Sequence, residues 1–329
     1  MKNILILLSI LVFGSINVAS AQVATPSLDP TNPVEIAAAA SWRFGSTVGG
    51  GGKFGTQKSD SEQLDSNTLS NLSGVAFVNS SYIFAYQPTS VTFEISGIVN
   101  ETDYQWDGSD SSSDTTSDNL SEYESNEIHV KIAIRGNNQV SVGIEYQSEN
   151  YKDASSDTKL TAYGGSFGMR FLDNIFIAGG LNKKTLKADE FESDMKWQEL
   201  IAGIAFQFGS PDQKMFKVEG AIKIEDEANV NLSNSTLSFY RPKTVTTQGS
   251  IETILGGYLL SYRYRRILYE AIDDIVLDKE REVTRNRIGL GYRSTVLTAV
   301  LYGETRIEKE DSNKYETQYL GFNVSFSFM

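Results

Sequence analysis

The sequence has no cysteine, one histidine and six prolines, and beyond its first two dozen residues it has no long apolar run. Without cysteine there is no disulfide framework and no lipid-anchoring thiol behind an export signal. A single histidine, His129, means that any Ser-His or His-Asp hydrolase must be built around that residue. No later stretch approaches the roughly 20 apolar residues that a membrane-spanning helix needs. Basic charge is also scarce: 29 Lys and Arg stand against 42 Asp and Glu, a net charge of −13, so nucleic acid is not an expected partner.

The chain opens MKNILILLSILVFGSINVASAQ, with Lys2, an apolar run from Ile4 to Phe13, and small residues at Ala19 and Ala21. That is the layout of an export signal over residues 1–21, with cleavage expected after Ala21. A short segment over 22–40 follows, and the rest, 41–329, is expected to form one β domain.

From about Ser73 onward the chain alternates apolar and polar residues over segments of roughly 10 to 15 residues, longer than ordinary soluble strands. Ile128, Val130, Ile132 and Ile134 interleave with His129, Lys131, Ala133 and Arg135. Phe216, Val218, Gly220, Ile222 and Ile224 interleave with Lys217, Glu219, Ala221, Lys223 and Glu225. Such segments number about fourteen, or twelve if those near Ser41–Val48 and Val75–Tyr86 are set aside.

The links between segments are of two kinds in alternation. Short turns such as Gln87-Pro88-Thr89-Ser90, Leu172-Asp173-Asn174 and Gly256-Gly257 carry hairpin chemistry. Longer acidic links are expected over 51–70, 107–122, 152–157, 188–194, 226–241, 271–280 and 308–314. Short turns at one end and long loops at the other define an antiparallel, up-and-down transmembrane β-barrel. An even strand count lets the last strand, ending YLGFNVSFSFM, close on the first and removes any edge from lipid.

These features resemble the bacterial outer-membrane β-barrel superfamily. Its final strand carries a signal read by the barrel assembly machinery, and Tyr319, Gly321, Val324, Phe326 and Phe328 are similar to that pattern, although Met329 follows the aromatic residue. Asn32-Pro33-Val34, with Ile36 and Ala37, also resembles the motif before the first strand in the fourteen-stranded long-chain fatty-acid and hydrocarbon transporter family. That family's plug is longer than residues 22–40, so a complete plug is not expected. The resemblance implies an outer-membrane location in a Gram-negative bacterium, with lipid and lipopolysaccharide as surroundings.

With the apolar phase in lipid, the polar phase lines the lumen. Arg263, Arg265, Arg285, Arg287, Arg293 and Arg306 then form a basic wall, and Glu145, Glu149, Glu199, Glu219, Glu225 and Glu252 share the inward phase, as do His129 and Lys131. Two readings of this lining stand side by side. Fixed charges set the selectivity of a wet pore for small solutes, or Arg and Glu pair across neighbouring strands and satisfy each other. Tyr163, Phe171, Phe208, Tyr258, Tyr292 and Phe328 are placed to form interfacial girdles.

The loop containing Asp107, Asp110, Asp114 and Asp118 has oxygen ligands but neither the spacing of an EF-hand nor a glycine-rich calcium repeat, and a solvated surface loop is expected. His129 shares a phase with Lys131 and points inward, which does not suit a lipid-facing catalytic dyad. No cofactor, resident metal or enzymatic activity is expected. The leading expectation is a monomeric channel for passive passage of small solutes. The alternatives are a transporter of fatty acids or other hydrophobic compounds, and a closed barrel with a structural or surface-interaction role.

Overall fold

The computed structural model describes residues 46–60, 75–86, 91–104, 123–135, 140–152, 157–171, 174–210, 214–233, 238–270, 281–294, 296–310 and 313–328. The export signal, the segment over 22–40 with its Asn32-Pro33 motif, and the Asp107–Asp118 loop lie outside them.

The chain forms sixteen strands: β1 (Ser46–Asp60), β2 (Val75–Tyr86), β3 (Val91–Tyr104), β4 (Tyr123–Arg135), β5 (Val140–Lys152), β6 (Asp157–Phe171), β7 (Ile175–Ala188), β8 (Met195–Ser210), β9 (Lys214–Glu225), β10 (Ala228–Asn231), β11 (Ser238–Arg241), β12 (Thr244–Leu255), β13 (Tyr258–Tyr269), β14 (Arg281–Arg293), β15 (Leu297–Glu310) and β16 (Asn313–Phe328). Fourteen of them pair antiparallel, each with its chain neighbours, and β1 closes on β16. The pair β10–β11 is a separate small hairpin inside the link from β9 to β12. Closure gives every strand two partners, so its backbone N–H and C=O groups are satisfied in a medium that offers none.

The period-two pattern becomes two faces. On β16, Leu320, Phe322 and Phe326 are exposed on the outside, while Thr317, Gly321 and Ser325 are buried on the inside. On β14, Ile288, Leu290 and Tyr292 point out, and Val283, Gly289 and Arg293 point in. The outward apolar residues form a band on the short-turn side. Ile128 to Ile134, Val142 to Tyr146, Tyr163 to Phe167, Leu200 to Phe208 and Leu260 to Tyr262 all fall in it. Above the band the outward positions turn polar at Lys159, Lys183, Gln198 and Arg266. The strands therefore continue past the lipid into water on the long-loop side.

Three sequence expectations are corrected here. The first strand does not end at Val48 but runs to Asp60, through Gly49-Gly50-Gly51-Gly52, which alternation cannot reveal because glycine has no side chain. These glycines fit the closure itself: a Cβ on Gly51 would stand 2.3 Å from the Phe322 carbonyl oxygen, and one on Gly49 would stand 2.7 Å from that of Val324. The links expected over 51–70 and 308–314 shrink, the latter to the two residues between Glu310 and Asn313, because polar strand ends still complete their backbone ladders in water. The link expected over 226–241 is structured as β10–β11 rather than open loop. The Gly256-Gly257 turn is as expected: both residues have positive φ, 58° and 88°, as a two-residue hairpin turn of this hand requires.

Candidate functional site

The inward faces of the strands stack into layers. At the short-turn end Met215 of β9, Ile254 of β12, Leu259 of β13 and Val300 of β15 pack together. Beside this apolar floor Arg293, almost fully buried, lies 3.6 Å from Glu252 through its Nη1.

The middle layer is basic on one wall. Pairing places Arg263 opposite Arg287, and Arg265 opposite Arg285, which in turn is opposite Arg306. Arg287 donates to Glu304 Oε2 from Nε at 2.7 Å and from Nη2 at 2.5 Å, and its guanidinium carbon lies 4.3 Å from the centre of the Tyr302 ring. Glu308 accepts from Arg306 at 2.8 Å and from Arg281. Glu219 on β9 is held by Lys217 at 2.8 Å and by the Ser250 hydroxyl at 2.8 Å. Gln248, Ser250, Arg263, Arg265, Arg285, Arg287 and Glu304 line a small cavity of about 30 Å³ that opens to solvent.

Counting around the ring, β5 lies seven strands from β14 in either direction. Glu145 and Glu149 on β5 therefore stand across the lumen from the arginines. Next to them on β4, Glu127 binds His129 and accepts a 2.7 Å hydrogen bond from Gln147 Nε2. Lys131 is in register with Glu145. Every inward residue expected from the sequence lies on a barrel strand; the arginines gather on β13, β14 and β15, and Glu252, Glu304 and Glu308 lie among them.

A second ionic cluster lies toward the long-loop mouth. Lys184 Nζ is 2.5 Å from Glu199 and 2.7 Å from Glu225. Lys223 is 3.3 Å from Glu199 and 3.7 Å from Glu225, Arg241 Nη2 is 3.0 Å from Glu225, and Asn182 donates to Glu199 at 2.9 Å.

Above it is an apolar mouth. Met195 and Trp197 of β8 are buried with Val230 of β10, and Leu160, Leu186, Phe191 and Ala228 pack against them. The β10–β11 hairpin reaches this position by backbone hydrogen bonds from Asp226 to Gln198 and from Glu192 to Asn231, each 3.0 Å. Arg241 fastens it: its Nη1 donates to the Asp226 carbonyl at 2.9 Å, and its guanidinium carbon lies 4.4 Å from the centre of a Trp197 ring.

Sequence reasoning did not single out Glu304, Glu127, Lys184 or Asn182. Each lies in the inward phase, two residues from another inward polar group, so period two was the available signal. Arg241 and Val230 carried no such signal because they belong to a link. Of the aromatic girdle, Tyr163, Phe208, Tyr258 and Tyr292 are exposed on the outer face, and Tyr258 and Tyr292 meet edge to face at 6.5 Å. Among the described residues no group of three His, Asp or Glu is placed to hold a metal.

Neither protein-family models nor curated protein sequences match the chain. Solved structures do. The toluene transporter TbuX of Ralstonia pickettii superposes with a TM-score of 0.56 at 13% identity, covering 95% of this chain and 96% of that one. The toluene transporter TodX of Pseudomonas putida gives 0.54 at 11%, covering 93% and 95%. A Pseudomonas aeruginosa FadL homologue gives 0.54 at 10%, covering 94% and 96%. At such identities the likeness is one of fold, and it spans nearly the whole of each chain: the protein has the fourteen-stranded barrel architecture of these FadL-type transporters.

Proposed function

We propose that the chain is an outer-membrane channel that passes small hydrophobic or amphipathic compounds. The observation that carries this reading is the apolar mouth inside the barrel, where Met195, Trp197 and Val230 are buried together and Leu160 and Leu186 extend the same surface down the lumen wall. The β10–β11 hairpin covers this patch, and the partly exposed Leu160 and Leu186 at its edge offer the entrance an apolar surface that favours a hydrophobic compound over a hydrated one. A second apolar layer, Met215, Ile254, Leu259 and Val300, lies at the opposite end of the lumen. The similarity in fold to the toluene transporters TodX and TbuX supports the same reading.

A channel for small polar or anionic solutes is the second reading, favoured by the arginine wall on β13, β14 and β15. Proteoliposomes separate the two. Uptake of labelled toluene above that of empty vesicles, together with slow swelling in sugar solutions, supports the hydrophobic route. Rapid swelling in sugars with no gain in toluene uptake favours the polar pore.

A further inference from the structure

We propose that the arginine row Arg265–Arg285–Arg306 is a binding site for a small inorganic oxyanion of the phosphate or sulfate type. The three side chains come from consecutive strands at directly paired positions, Arg265 with Arg285 and Arg285 with Arg306, all on the inward face. Placing like charges side by side on paired strands is unfavourable unless an opposite charge is shared among them. Two carboxylates border the row without spanning it: Glu304 pairs with Arg287 and lies close enough to attract Arg285, and Glu308 is shared between Arg306 and Arg281, so three guanidinium groups still outnumber the negative charge beside them.

Arg285 is the centre of the site. Its Nε is buried and has no hydrogen-bond partner among the described residues, and the same holds for the Nε of Arg306. A guanidinium presents its donors in a planar fork that matches two oxygens of a tetrahedral oxyanion. The cavity beside Arg285 is continuous with solvent, so a free ion can reach it. The surrounding wall is strand backbone, closed to a lipid headgroup arriving from the bilayer. An oxyanion there neutralises the row and joins three strands. This site stands independently of what the channel transports.

The test uses the full chain refolded in detergent, with inorganic phosphate as the probe and chloride at matched ionic strength as the control. Calorimetry is expected to show saturable phosphate binding, and phosphate is expected to raise the thermal unfolding midpoint above that in chloride. Arg285→Gln is expected to weaken phosphate binding at least about tenfold, the scale of one lost charge-assisted hydrogen bond. Without phosphate the variant should be no less stable than the parent, because it relieves repulsion in the row. Arg266→Gln removes the same charge from the outer face of the neighbouring strand β13 and should leave phosphate binding intact. Equal stabilisation by chloride and phosphate overturns the proposal, as does an unchanged phosphate affinity in Arg285→Gln.

Discussion

The ionic cluster at the mouth makes a prediction about order as well as size. Three cations, Lys184, Lys223 and Arg241, surround two carboxylates, Glu199 and Glu225. The side chains of Lys184, Glu199 and Glu225 are 8%, 5% and 8% exposed, so water screens them little. Glu225→Gln leaves all three cations around one carboxylate. Removing the shared partner of a buried ionic group costs about 3–5 kcal/mol. Lys184→Met instead leaves two cations and two carboxylates, with Glu199 still 3.3 Å from Lys223 and Glu225 still 3.0 Å from Arg241. Its cost is one charge-assisted contact, about 1.5–3 kcal/mol. Glu225→Gln should therefore be the more destabilising by about 2 kcal/mol. Urea unfolding in detergent micelles measures both, with Trp42 and Trp106 changed to Phe so that Trp197 alone reports on the cluster. A larger loss in Lys184→Met than in Glu225→Gln would refute the charge accounting.

Three further outcomes follow from the barrel geometry. Gly51→Val should weaken the β1–β16 closure by about 1–3 kcal/mol, because its Cβ meets β16 backbone; Gly303→Val, with no atom within 4 Å of its Cβ, should not. The temperature at which the folded band converts to the unfolded one on a gel reads the difference. Leu290→Arg, at an outward position 62% exposed, should cost about 2–4 kcal/mol in a bilayer and much less in a small detergent micelle. Arg241→Ala should release the β10–β11 hairpin and raise acrylamide quenching of Trp197, while unchanged quenching would mean that Arg241 does not hold the hairpin down.

The strands that were legible in the sequence are those whose two faces see different solvents. On β14 the contrast between Ile288 or Leu290 and Arg285 or Arg287 is strong enough to set both strand and phase. Where lipid is absent the contrast fades: above the membrane band Lys183 points outward and Lys184 inward, so polarity alone no longer separates the faces. The glycine run in β1 is the limiting case, since its role is close backbone approach and no side chain announces it. The site was legible wall by wall but not contact by contact. Arg287 could be placed in the lumen from its phase, whereas its pairing with Glu304 depends on a register set by the whole β14–β15 ladder. The mouth was least legible, because Val230 and Arg241 reach Trp197 through a hairpin inside a link.

The account rests on a lipid-facing apolar phase around a polar lumen, and the absence of cysteine makes a direct test available. Single cysteines introduced one at a time from Tyr319 to Phe326 can be spin-labelled and the protein reconstituted in bilayers. Collision rates are then measured with oxygen, which concentrates in lipid, and with a water-soluble nickel chelate. High oxygen accessibility is predicted at Leu320, Phe322, Val324 and Phe326, alternating with low oxygen accessibility at Tyr319, Gly321, Asn323 and Ser325. A flat profile along this strand, or oxygen maxima on the odd-numbered residues, would contradict the account.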